Sequence, residues 1–224
     1  MPNLGLFFVG PVLLINGLSL LGRVDAKAAA PVNAFTGVLL IGVTLYIDLP
    51  AAARGAGASS VVLGSAGYLL FAFTYLYVAV GNWSGASGSG LGWYCGWATL
   101  VAVFLSAEYY ATYHDAKFGT IWLSWALLFA TFFTVLALKV SSLTAAAGWL
   151  TVLEAFSTCT IPGALLLAGR WNGLSTGIVI AAQAAVAVAF LAVAWRSPRH
   201  ADPLSDDPPD RAAQAASGSA AVSG

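Results

Sequence analysis

Seven long apolar stretches dominate this chain and decide what it can fold into. They lie at approximately residues 4–22, 31–49, 61–81, 91–112, 119–139, 147–168 and 174–195. A helix needs roughly 20 mostly apolar residues to cross the hydrocarbon core of a bilayer. The sequence therefore predicts an all-α, polytopic membrane protein with seven transmembrane helices.

The composition agrees with this class and excludes several others. Only 8% of the 224 residues are charged, whereas about 25% of the residues in soluble domains are charged. The net charge is zero, so we expect no nucleic-acid partner. Cys95 and Cys159 lie in separate apolar stretches without a neighbouring His, which predicts buried thiols and no metal site.

Cofactor and enzyme functions are also disfavoured. No predicted span holds a central His, Lys or Arg, which argues against haem ligation and a retinal Schiff base. Two histidines and two isolated cysteines provide neither a nucleophile with its base nor a set of metal ligands. We therefore expect no cofactor and no enzyme activity.

The charged residues divide the chain into two parts. Seven of the 18 charged side chains lie beyond residue 195, where Pro, Asp, Ser and Ala dominate. We expect residues 1–195 to form the transmembrane domain and residues 196–224 to be a disordered cytoplasmic tail. Six of the nine basic residues fall on one side of the predicted helices. Because cytoplasmic segments are rich in Lys and Arg, this predicts an external amino terminus in the plasma membrane.

The apolar stretches recur at a regular spacing. Stretches one, three and five begin near residues 4, 61 and 119, and stretches two, four and six near 31, 91 and 147. The period is about 57 residues. We expect a six-helix bundle made of three helical hairpins around a pseudo-threefold axis, with the seventh helix added outside it.

One carboxyl group lies deep inside a predicted span. Glu154 is about seven residues, or roughly 10 Å, into the sixth stretch, whereas Asp48 and Glu108 lie near span ends. An ionisable group inside a membrane costs several kcal/mol unless it faces a cavity or a partner. Glu154 is therefore either a pore-lining carboxylate or a protonated residue that ties helices together. Asn16, at a similar depth in the first stretch, is open to the same two interpretations.

Aromatic residues form two deep faces. Phe73 and Tyr77 share one face of the third stretch at i, i+4 spacing. Trp122, Trp125 and Phe129 share one face of the fifth stretch at i, i+3, i+7 spacing. Packing between helices would explain these faces, and so would the wall of a narrow path.

A face of rings beside a single carboxylate would select among solutes. Aromatic walls contact the faces of a planar molecule and offer a hydrated ion nothing in place of its water. Glu154, the Tyr77 hydroxyl and Thr158, one turn after Glu154, could exchange hydrogen bonds with a small amide. The pattern suits a neutral, planar, hydrogen-bonding solute.

Several motifs, taken together, resemble the AmiS/UreI family of urea and amide channels. They occur in family order within residues 4–171: Val9–Gly17, Arg23–Lys27, Phe73–Tyr77, Ile121–Trp125, and Trp149–Glu154 with Ile161-Pro162. The resemblance implies a homohexamer in which each protomer has its own pore. It also implies passive passage of urea or short aliphatic amides, with a functional link to a cytoplasmic amidase or urease.

The resemblance assigns roles to four residues and favours the pore interpretation of the aromatic faces. The family's constrictions, carried across motif by motif, correspond to Phe73, Tyr77, Trp125 and Glu154. Phe129 stands where the acid-gated urea channel of the family has a tryptophan, which leans the expected substrate toward acetamide-sized amides.

The histidines of the outer loops and Glu154 bear on gating and on energy coupling. Acid-gated members carry His-rich and acid-rich outer loops, whereas His114 is the only outer histidine here, so we expect no strong acid gate. Two alternatives stay open: a proton-coupled amide transporter that uses Glu154, and an amide sensor that binds without transport. The sequence does not rank urea against acetamide.

Overall fold

The structure is a computed structural model that describes residues 2–53 and 58–196, and the regular elements in those ranges are all helical. The predicted tail from residue 197 onward lies outside the described residues. The first five helices are α1 (Pro2–Leu20), α2 (Ala26–Ala53), α3 (Ala58–Ser84), α4 (Ser89–Ala111) and α5 (Ala116–Leu136).

The sixth span is interrupted, and a further helix follows it. The span consists of α6 (Thr144–Glu154), a π-helical segment (Ala155–Thr160) and α7 (Ile161–Leu167). The last helix is α8 (Thr176–Arg196). Short 3-10 turns precede α6 and α8, at Ser141–Leu143 and Trp171–Gly173.

The helices confirm the predicted membrane fold. Within the described ranges, six helical segments are long and apolar enough to cross a bilayer, and α1 adds a shorter apolar helix at Leu4–Leu20. At 1.5 Å per residue the apolar part of α1 is about 26 Å long, near the lower limit for a transmembrane helix. The chain is thus a multi-pass membrane protein with one helix for each predicted stretch.

The first six spans form a closed ring. The most extensive packing joins α2 to α3, α4 to α5, and α1 to the sixth span. Three close helix pairs are present, as the repeat predicts, but they connect neighbouring hairpins rather than the two helices within each predicted hairpin. The last helix packs against α5 and α6 and has only 22% of its apolar window buried, which places it at the rim.

The contact between α1 and the sixth span depends on small residues. A Cβ atom at Gly17 would lie 2.9 Å from the carbonyl oxygen of Gly148 and 2.9 Å from the amide nitrogen of Val152. Because both atoms belong to the main chain, neither can move aside cheaply. Glycine here lets the two backbones approach closely, as is common between transmembrane helices.

The side chain of Lys117 forms hydrogen bonds with the turn before α8. Lys117 Nζ donates hydrogen bonds to the carbonyl oxygens of Trp171 at 2.9 Å and Leu174 at 3.2 Å. The same amine lies 4.9 Å from the centroid of the Trp171 ring. The start of α5 thereby fixes where the last helix begins.

Candidate functional site

Five buried aromatic rings from α3 and α5 form the centre of the bundle. The Phe71 ring lies 4.8 Å from Trp125, 5.4 Å from Phe129, 6.0 Å from Tyr75 and 6.1 Å from Trp122, measured between ring centroids. Trp122 and Trp125 meet edge to face at 4.7 Å. All five side chains are buried. We call these five residues the aromatic cluster.

A hydrogen bond joins the aromatic cluster to the sixth span. Trp125 Nε1 donates to Thr158 Oγ1 at 3.0 Å. The Thr158 hydroxyl in turn donates to the main-chain carbonyl of Glu154 at 2.6 Å. The orientation of the Trp125 indole is thus tied to the turn of helix that begins at Glu154.

Two buried side chains next to this connection have unsatisfied polar atoms. Glu154 is fully buried, and neither of its carboxylate oxygens has a hydrogen-bond partner among the described residues. The hydroxyl of Tyr75 is buried and unpartnered in the same sense. A buried polar group without a partner costs about 1–3 kcal/mol. These three oxygens are therefore suited to form hydrogen bonds with a molecule that enters the bundle.

A small cavity lies beside the aromatic cluster. It has a volume of about 40 Å³ and is bordered by α1, α3, α4 and α5. Its lining is mostly apolar but includes the polar side chains of Asn16 and Thr74 and the thiol of Cys95. This volume has room for a water-sized molecule. Phe71, Tyr75 and Phe129 line the same cavity, so it is continuous with the cluster.

Asn16 ties two helices together and also borders the small cavity. Its side-chain amide donates to Asn33 Oδ1 at 2.9 Å, and the Asn33 amide donates back to Asn16 Oδ1 at 2.7 Å. Asn33 is fully buried and also donates to the carbonyl of Ala29. The pair ties α1 to α2, while Asn16 still borders the cavity.

The structure separates Phe73 and Tyr77 from the other predicted site residues. Phe73 is 51% exposed and Tyr77 is 43% exposed, on the outer side of α3. The prediction that these two rings share a wall with Trp125 is wrong, because it selects the face of the helix that points away from the bundle. Trp122, Trp125 and Phe129 do come together in the aromatic cluster. Thr158 joins Trp125 to the main chain of Glu154, and Asn16 borders the adjoining cavity.

Phe71 and Tyr75 are the residues that the sequence interpretation missed. They have the same i, i+4 spacing as Phe73 and Tyr77 and lie two positions earlier in the chain. The small residues Ala72 and Ala79 are buried on α3 and could have marked the packed side of the helix. Aromatic spacing alone does not distinguish the two faces.

Glu108 accepts a hydrogen bond from the Thr112 hydroxyl at the exposed end of α4, which fits a boundary residue. The side chain of Asp48 lies outside the described part of the chain. Cys95 and Cys159 are both buried, as predicted. Within the described ranges, no three His, Cys, Asp or Glu side chains are grouped as metal ligands would be.

Comparison with known proteins identifies the family to which this helical bundle belongs. The sequence profile described as AmiS/UreI family transporter matches residues 1–170. The chain belongs to the AmiS/UreI family. Members of the family are channels and transporters, not enzymes, so the resemblance predicted from the motifs and the transport class are both confirmed.

Three relatives of the AmiS/UreI chain show how far the similarity extends. This chain is 38% identical over 194 residues to AmiS2 of Rhodococcus erythropolis, a protein named as a transporter. The alignment covers 87% of this chain and 91% of AmiS2. This chain is 37% identical over 215 residues to a Mycolicibacterium smegmatis protein named as a transporter of amidate substrates, covering 95% and 97%. The cryo-EM structure of the closed Helicobacter pylori urea channel matches with a TM-score of 0.68 and 30% identity, covering 76% of this chain and 100% of that one.

The two faces of α3 in this AmiS/UreI protein should differ in their effect on stability. Phe71→Ala removes the ring at the centre of the aromatic cluster and should lower the free energy of unfolding by about 3–5 kcal/mol. Phe73→Ala removes an exposed ring and should change it by about 0.5 kcal/mol or less. Thermal unfolding of the two purified variants in one detergent measures the difference. Equal losses would mean that the buried face of α3 is assigned incorrectly.

Proposed function

We propose that this protein is a passive channel for urea and short aliphatic amides. The observation that carries the proposal is the fully buried Glu154 side chain, whose two carboxyl oxygens are unpartnered within the described residues. The main-chain carbonyl of the same residue is linked through Thr158 to Trp125 of the aromatic cluster. These carboxyl oxygens lack a donor within the described residues, and an amide N–H is a donor that they can accept. The Tyr75 hydroxyl adds a second contact for a carbonyl or amino group.

The walls of the aromatic cluster favour a neutral, planar solute. Phe71 and Trp125 are held edge to face at 4.8 Å, so a flat molecule that parts the rings gains contact on its faces. An ion would lose its hydration and receive in return only one carboxylate and a hydroxyl. The cluster therefore acts in this proposal as a filter that separates amides from ions.

The relatives support the same class of solute. The Mycolicibacterium smegmatis relative is named for amidate substrates and the Helicobacter pylori structure for urea. Phe129 of the cluster has a smaller ring than the tryptophan expected in an acid-gated urea channel, which leans the proposal toward acetamide-sized amides. A cytoplasmic amidase or urease would consume what enters.

Assembly, orientation and gating complete the proposal. We place the amino terminus outside and the carboxyl terminus in the cytoplasm, with six protomers each holding a separate pore. The exposed aromatic rings of α2, Phe35 and Tyr46, would then have neighbouring protomers to pack against. No strong acid gate is expected, since His114 is the only histidine assigned to an outer connection.

Passive flux can be measured directly in proteoliposomes. Stopped-flow swelling in urea, acetamide and glycerol should show amide entry that rises linearly with the gradient and is unaffected by a proton gradient. Protein-free liposomes give the background. Accumulation of amide against its gradient, or discharge of the pH gradient during uptake, would overturn the channel and favour the proton-coupled transporter that uses Glu154. Binding without flux would identify a sensor.

Replacing the carboxyl group of Glu154 by an amide should slow transport without dissociating the protein. Glu154→Gln keeps the shape of the side chain but replaces one oxygen by an NH2 group, which loses a hydrogen bond to the solute worth about 1–2 kcal/mol, so amide flux should fall about tenfold. Glu108→Gln, at the exposed end of α4, is the matched control and should keep the full rate. Loss of the oligomer in Glu154→Gln alone, seen by size-exclusion chromatography, would favour the helix-tying role.

Shortening one ring of the aromatic cluster should widen the range of solutes. Phe129→Ala should raise the flux of butyramide relative to acetamide by about tenfold, because pockets discriminate single methylene groups by 1–3 kcal/mol. The control is Phe104→Ala, since Phe104 is 53% exposed on α4. An unchanged ratio of butyramide to acetamide flux in Phe129→Ala would show that this ring has only a structural role.

A further inference from the structure

The π-helical segment leaves one main-chain carbonyl without its usual donor. In an α-helix the carbonyl of Ser157 would accept the N–H of Ile161, but that N–H donates to Phe156, five residues earlier. In a continued π-helix the donor would be residue 162, which is a proline and has no N–H. Neither ordinary main-chain donor therefore reaches Ser157.

Gln183 on the last helix supplies the missing donor. Its Nε2 donates to the carbonyl oxygen of Ser157 at 3.1 Å. Its Oε1 lies 3.1 Å from the Ser124 hydroxyl of α5 and 3.4 Å from the Ser157 hydroxyl, each of which can donate to it. Gln183 is only 5% exposed, although it lies on the most exposed of the long spans. One side chain thus joins α8, α5 and the π segment.

This connection lies directly behind the candidate filter. The π segment begins after Glu154 and contains Thr158, the acceptor for the Trp125 indole. A groove of about 510 Å³ separates α8 from α5, and both Glu154 and Gln183 border it. Gln183 is the one polar residue that α8 contributes to the lining of that groove.

The helix that carries Gln183 is an addition to the family core. The AmiS/UreI profile ends at residue 170, and α8 begins at Thr176. The Mycolicibacterium smegmatis relative aligns with 95% of this chain, so its similarity extends into this region, whereas the urea-channel structure covers 76%. The support that α8 gives to the π segment is thus outside what the family profile describes.

We propose that Gln183 is a positioning residue of the amide filter, and that α8 is a specificity element. Gln183 completes the hydrogen bonding of Ser157 and so fixes the π segment. The segment in turn holds Thr158 against Trp125 and fixes the height of Glu154 beside the aromatic cluster. This inference rests on the proposed channel function. Gln183 itself does not contact the solute. It sets the positions of the side chains that do, and thereby the width of the filter.

The first test removes the amide of Gln183 and keeps its volume. Gln183→Met should change the ratio of acetamide to urea flux by about fivefold, which corresponds to the loss of one net hydrogen bond to the filter wall. Val188→Met, on the exposed side of the same helix, should keep the wild-type ratio. An unchanged ratio in Gln183→Met, with protein that elutes as wild type, would overturn the proposal.

The second test restores the missing donor by another route. Pro162→Ala gives residue 162 an N–H that can serve Ser157 in the π register. In that background, Gln183→Met should no longer alter the flux ratio. The same fivefold change in both backgrounds would show that Gln183 acts by some route other than the Ser157 carbonyl, and would overturn the proposal.

A third measurement does not depend on transport. Hydrogen–deuterium exchange of a peptide that covers residues 155–161 should be faster in Gln183→Met than in Val188→Met, because the Ile161 N–H lies in the segment that loosens. Unchanged exchange would overturn the positioning role even if amides pass freely. If wild-type vesicles conduct no amide but the exchange rates differ, the proposed channel fails and the structural role of Gln183 stands.

Discussion

In a bilayer every polar group must find a partner within the protein, and the rest of this structure follows from that constraint. The described backbone is helical because helices satisfy their own N–H and C=O groups. Side chains obey the same requirement: Asn16 and Asn33 bond reciprocally, and Lys117 bonds to two carbonyls. Against this background, unpartnered buried oxygens at Glu154 and Tyr75 are exceptions. Such exceptions are expected where function requires them.

The aromatic cluster and the carboxylate depend on each other. Rings alone would make a dry plug, since apolar side chains in contact gain nothing from separating. A carboxylate alone would attract cations and water. In the proposed channel the two would act together on a flat, small and uncharged molecule, the rings contacting its faces and the carboxyl group its polar edge. The Trp125–Thr158 hydrogen bond keeps the two halves of this site in a fixed relation.

Much of this arrangement could be predicted from the sequence, and the exceptions share a physical cause. Helix number and the depth of Glu154 follow from hydropathy, because a bilayer imposes one length on every span. The face of α3 could not be read, since Phe71 and Tyr75 repeat at the same interval as Phe73 and Tyr77. Lipid is as apolar as a core, so outward and inward rings look alike in sequence. Gln183 was missed because its partner is a carbonyl freed by the π segment, an event that hydropathy does not record.

The π segment also changes how the sixth span must be compared with other helices. A turn that holds an extra residue rotates everything beyond it by about 100° relative to a continuous α-helix. Residues up to Glu154 and residues from Ile161 onward therefore belong to two helical wheels, not one. A one-residue gap inside residues 155–160 of an alignment would therefore turn every assigned position of α7 by about 100°, from the packed side of the helix toward its flank.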